Sequence, residues 1–263
     1  MPSAPLTRER GLPRRSEAMS AAAGQLALLD VEQAQPDWRV RESPRARRLT
    51  VRVFPGGRVE IVVPVGTRSR TVQQFVTHHR CWIDRKVQEL QHLVTEPPDS
   101  LPQVIAFQAI DRRLSVRYLD THGIPRVGQS GEDIVVSGDL TRMPLVRHAL
   151  HRWLLHTAHS HLVPWLDAVA GQHGMNFNRA QVRRQRTRWG SCSRSGTISI
   201  NACLMFQPAD VVRYLFVHEL AHTVHLNHSR RFWRLVEQLE PGWQALDREL
   251  SRGWRHVPAW AIG

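Results

Sequence analysis

The chain has 263 residues, 41% of them hydrophobic, and a formal net charge of +13, long enough for one or two domains with a true core. No apolar run approaches the roughly eighteen residues of a membrane span, so no membrane partner is expected. Cys81, Cys192 and Cys203 form no C-x-x-C pair and their odd number excludes a complete disulfide framework, which reads as a reducing, cytoplasmic setting.

Residues 1–45 are rich in Pro, Ala, Arg and Gln without sustained periodicity, the composition of a disordered tail. Within it, Arg14-Arg15 followed by "AAAGQLALL" (21–29) loosely imitates a twin-arginine export signal, but the stretch is short and lacks a clear cleavage site. Alternation in "RRLTVRVFPGGRVEIVVPVG" (47–66) around Pro55-Gly56-Gly57 predicts a β-hairpin. "TVQQFVTHHRCWIDRKVQELQHL" (71–93) spaces its apolar residues as a helix does, and short strands follow in "VIAFQAI", "RLSVRYL" and "DIVVS". Residues 46–140 therefore read as a β-rich N-terminal subdomain with one helix.

The remainder, 141–263, is mainly helical. In "PLVRHALHRWLLHTAHSHLVPWLDAVAGQHG" (144–174), Leu150, Leu154, Ala158, His161 and Trp165 share a face, with a kink or break expected at Pro164. Its histidines, His148, His151, His156, His159 and His161, scatter around the helix, so no second metal is expected there. Two β-like runs in 180–206 precede a helix opened by Pro208, and two short helices follow Asn227. The whole is α+β.

Lys86 is the sole lysine, so the positive excess is arginine; from residue 141 on there are sixteen arginines against seven acidic residues. A basic surface suits nucleic acid, nucleotides or other acidic partners, or is merely a solvated face. Arg184, Arg186 and Arg188 alternate, which places them on one side of a strand.

The helix after Pro208 runs into "HELAHTVHLNHSRRFW" (218–233). Residues four apart stack on one helix face, so His218 and His222 can offer two imidazoles to one metal, with Glu219 beside them. Zinc suits this set, and a carboxylate next to a zinc-bound water can act as its general base, the role assigned to Glu219. His228, six residues after His222, has the spacing of the third ligand in the extended H-E-x-x-H pattern; Glu237 or Glu240 on the next helix is the rival. His225 stands where that pattern has glycine, so Asn227 is expected to make the turn in a left-handed conformation. About two turns from His218, His225 belongs behind the ligands or on the cleft wall.

The stretch "RTRWGSCSRSGTISINACLMFQPADVVRYLFVHELAHTVHLNHSRRFWRLVEQLEPGW" resembles the signature region of the YgjP-like metallopeptidases, themselves related to SprT-like proteases. The matching elements are R-W-G-S-C-S, a G-x-I-x-I-N strand, a Tyr four residues before H-E-L-x-H, and N-H-S-x-R-F-W after it. The resemblance spans roughly residues 45–245. It implies a zincin-like metalloprotease catalytic domain that holds one zinc ion through His218, His222 and His228, with Glu219 as base and protein or peptide as substrate. "GTISIN" would be the edge strand pairing with an extended peptide. Tyr214 can reach the oxyanion or sit as an ordinary buried tyrosine. Arg188 can meet substrate or transition-state charge, or pair in the interior with Asp210 or Glu237. Trp189 reads as core and Cys192 as structural. Two further functions stay open: a metal-dependent hydrolase of nucleotides or other phosphorylated substrates, and a nucleic-acid-binding module with a structural metal.

Overall fold

The structure, a computed structural model, describes residues 38–54, 56–91 and 100–262. The tail reading over 1–37, with the Arg14-Arg15 pattern, lies outside the described residues. Trp38–Ser43, within the stretch assigned to the tail, is instead a strand, β1. Only Trp38 and Val40 mark its inner side, too few to announce a strand, and its partner lies beyond the next strand in sequence.

The described chain divides into two compact units. In the first, covering 38–53 and 58–87, β1 lies beside β3 (Val59–Pro64) in parallel, and β3 pairs antiparallel with β2 (Thr50–Val53), giving the order β1-β3-β2. β2 and β3 are the expected hairpin; Gly56 and Gly57 turn it with φ of 83° and 79°, which costs little only for glycine. Val59, Ile61 and Val63 point to one face, where they pack on Val72, Ile83 and Val87 of α1 (Ser69–Gln91). Arg39, Arg41 and Arg52 alternate with them and take the other face.

The second unit covers 54–57 and 88–262. A four-stranded sheet of β4 (Val104–Phe107), β5 (Arg112–Asp120), β6 (Arg126–Ser130) and β7 (Asp133–Gly138) runs in the order β4-β5-β7-β6. The sequence groups these strands with the N-terminal subdomain; here their inward residues Ile105, Leu114, Val116, Ile134 and Val136 share one core with the helices that follow. Helix α2 (Met143–Gln172) passes through Pro164 without a break. Proline removes one backbone donor, but Leu162, Leu166 and Val169 are buried on either side of it and hold the helix in place.

A second sheet orders β8 (Arg179–Arg183), β9 (Gly190–Cys192) and β10 (Thr197–Asn201) as β8-β10-β9. β10, expected at the edge, is central: β8 pairs with it in parallel and β9 antiparallel, which leaves β9 outermost. The alternating arginines after Arg183 lie beyond the end of β8, in irregular chain. Helix α3 (Ala209–Val224) is buried nearly all round, through Val211, Val212, Tyr214, Leu215, Phe216, Val217, Leu220 and Ala221. Such a helix forms the centre of a core. Three shorter helices, α4 (Arg230–Leu239), α5 (Trp243–Arg252) and α6 (Ala259–Ile262), complete the unit. The molecule is thus α+β, with mainly strands in its N-terminal part, and no described helix is long and apolar enough to cross a membrane.

Candidate metal centre

His218 and His222 stand one turn apart on α3, and the chain then reverses to bring His228 back to them. α3 ends at His225 in extended conformation, φ −127° and ψ 104°. The turn is closed by Ser229, whose N–H meets the Asn227 carbonyl at 2.8 Å and whose side chain caps α4. Among the described residues the one non-glycine with positive φ is Asp111, so Asn227 does not take the left-handed conformation expected of it.

Ligand atoms of His218, His222 and His228 all lie within 4.8 Å of one another. The Nε2 atoms of His218 and His228 are 3.1 Å apart. The two helix histidines are also oriented from behind. His222 donates from Nδ1 to the carbonyl of His225 at 3.0 Å, so His225 acts through its backbone. Nδ1 of His218 faces the Tyr214 hydroxyl at 3.4 Å, and that hydroxyl donates to Asp247 on α5 at 2.8 Å. With their Nδ1 atoms so engaged, both rings keep Nε2 free as an electron-pair donor. Tyr214, fully buried, therefore stands behind a candidate ligand, on the side away from His228.

An aromatic floor fixes the rings. The fully buried Phe232 of α4 lies with its centroid 5.0, 4.5 and 4.8 Å from those of His218, His222 and His228. Trp233 stacks on His228 at 5.5 Å and Trp243 stacks on Trp233 at 4.2 Å. Burial, followed by the neighbouring His222 and His228, pushes His218 down to about 3, and burial lowers His222 as well. Both shifts favour the neutral imidazole, the form that a metal binds.

Glu219 is 4% exposed, and its Oε2 has no hydrogen-bond partner. Burial raises its carboxyl to about 8, against the pull of Arg188. Gly190 of β9 makes room for it: a Cβ there would stand 2.5 Å from Glu219 Oε1. Cys192, two residues along β9, is half-buried, and burial and then Glu219 push its thiol up to about 11, which suits a structural, protonated thiol. Arg188 is exposed and near enough to act on Glu219, which fits neither of the interior pairings expected for it. The preceding loop is pinned by fully buried Asn201, whose amide donates to the carbonyls of Gln185 and Arg188 at 2.7 and 2.9 Å. Trp189 stacks on Trp254 in the core.

The rival ligands lie elsewhere in the contact pattern: Glu240 pairs with Arg213 at 3.3 Å and Glu237 accepts from Gln244 at 3.3 Å. On α2, His151 meets the Trp260 carbonyl at 2.5 Å, and among the described residues the α2 histidines form no metal-binding group. The residues missed by sequence reasoning are Asp247, Phe232 and Gly190. For the last two the signal lay inside N-H-S-x-R-F-W and R-W-G-S-C-S; for Asp247 there was none.

Three converging imidazole nitrogens on an aromatic floor, beside a buried carboxylate with an unpartnered oxygen, fit a divalent metal. Two solved chains match this one. One of them, the metallopeptidase zymogen of Pyrococcus abyssi abylysin, is 25% identical, covering 34% of this chain and 92% of its own with a TM-score of 0.31. No curated protein matches. The family described as "YgjP-like, metallopeptidase domain" matches residues 47–253, and the chain belongs to that family of metallopeptidase domains.

Proposed function

We propose that the protein is a zinc-dependent peptidase in which His218, His222 and His228 hold the metal and Glu219 is the general base. The observation that carries this reading is the gathering of three imidazoles next to a buried carboxylate oxygen without a partner. Held by His218, His222 and His228, zinc would supply Lewis acidity, to acidify water and polarise a carbonyl. Glu219 takes the proton of the attacking water and passes it to the departing nitrogen. A carboxyl already shifted toward neutrality is suited to both acts.

β9, outermost in its sheet and touching Glu219 through Gly190, takes the part expected of "GTISIN": its free edge pairs with the main chain of an extended peptide. Arg188, exposed at the start of that edge, meets a carboxylate of the substrate or charge developing in the transition state. Three cysteines, all unpaired, fit a cytoplasmic setting.

Metal analysis and hydrolysis of a quenched fluorogenic peptide mixture test this together. Glu219→Gln should keep its metal while losing about 10²–10⁴-fold in turnover. His228→Ala should lose metal and His225→Ala should keep it. Full activity in Glu219→Gln, or wild-type protein that cleaves nucleoside triphosphates and no peptide, would overturn the reading.

A further inference from the structure

The first unit carries a feature that the metal centre does not use. Residues 38–87 hold twelve basic side chains and three acidic ones, and the pleat of the sheet sorts them. Valine and isoleucine go to α1; the opposite face takes the charges, with Arg39 and Arg52 flanking Glu60 in register, and Arg41 beside Val62 in the next row. The chain between β1 and β2 adds Arg45, Arg47 and Arg48, all exposed. These three, with Arg41 and Arg52, line a shallow depression of about 430 Å³. Glu60 is bracketed by Arg41 at 3.2 Å and Arg52 at 3.6 Å, so the one carboxylate orients two guanidinium groups and leaves the face strongly positive. Like charges at this density repel, and a polyanion relieves that repulsion.

We propose that this arginine face docks the sugar-phosphate backbone of double-stranded nucleic acid, without reading its sequence. Guanidinium forks pair bidentately with phosphate, and five of them around one depression, Arg41 from β1, Arg52 from β2 and Arg45, Arg47 and Arg48 from the chain between, suit the closely repeated anions of a phosphate backbone. Trp38 is turned to the opposite side, where Arg80 lies over its ring at 5.2 Å, so the face lacks the aromatic platform on which single strands stack. Val62 in its floor is 5% exposed, so the face also lacks the apolar wedge that anchors a protein in a lipid surface. The proposal stands independently of peptide hydrolysis.

The test is fluorescence anisotropy of a short labelled DNA duplex with the full-length protein across a salt series. The variants are the triple Arg45→Ala, Arg47→Ala, Arg48→Ala and a control with the same charge loss on β5, Arg112→Ala, Arg113→Ala, Arg117→Ala. Wild type should bind; the first triple should lose at least about tenfold in affinity and flatten the log–log salt slope by about 2 to 3, while the control stays near wild type. Equal losses in both triples would mean that only net charge matters, and would overturn the site. So would a wild type that fails to bind, or displacement of the duplex at equal charge by polyglutamate, by a single-stranded oligonucleotide or by phosphatidylserine vesicles.

Discussion

Two side chains outside the H-E-x-x-H motif hold His218: Tyr214, whose oxygen faces Nδ1, and Asp247, which accepts the Tyr214 proton. Removing the hydroxyl frees the imidazole to change tautomer and leaves Asp247 without its donor. Tyr214→Phe should therefore bind zinc about 10–100-fold more weakly while keeping its fold, as read by competition with a chromophoric chelator. Unchanged affinity would reduce Tyr214 to packing. The helix spacing is sufficient to indicate His218, Glu219 and His222, because contact at i and i+4 is a local property. Asp247 was illegible because its bond to Tyr214 spans 33 residues and joins two helices whose packing no local pattern encodes. His225 was legible as a neighbour of the site, but not as a backbone acceptor.

At the scale of elements, β9 passes so close to α3 that a Cβ at position 190 would stand 2.5 to 2.9 Å from the Oε1, Cδ and Cγ atoms of Glu219. Gly190→Ala should displace the carboxylate from its seat. The expected result is metal content equal to wild type with turnover reduced toward that of Glu219→Gln; an alanine variant as active as wild type would show that β9 can retreat. The elements themselves were largely readable: the hairpin, α1, α3 and its two successors follow from alternation or helical spacing. Their order in sheets was not. β10 became central because β8 joins it in parallel, a pairing set by the connection between them and not by the composition of "GTISIN". β6, "RVGQS", carries little apolar alternation and gave no signal.

For the molecule as a whole, burial of histidine links stability to pH. Desolvation, opposed by its hydrogen bond to the Trp260 carbonyl and aided by Arg184, His148 and Arg147, brings His151 down to about 4. An unfolded chain protonates the same ring near pH 6.5. Below that value the unfolded state binds more protons, so stability falls as pH falls from about 6.5 to about 4 and levels off beneath. Thermal melts of chelator-treated protein across this window should show the decline, and His151→Gln should make it shallower; an unaltered slope would mean that His151 is solvated in the fold. The division into units was only partly legible. Composition shows where strands give way to helices, but not that β4 to β7 share a core with α2 rather than with the first hairpin.

The brevity of β9 bears on what such an enzyme would grip. Three residues of edge span about 10 Å and can register only a few residues of a guest chain. Backbone pairing over so short a length holds loosely and lets go quickly, which favours turnover over tight capture. Folded proteins, whose strands are already paired, would offer it little; loose termini and unfolded stretches would offer a great deal.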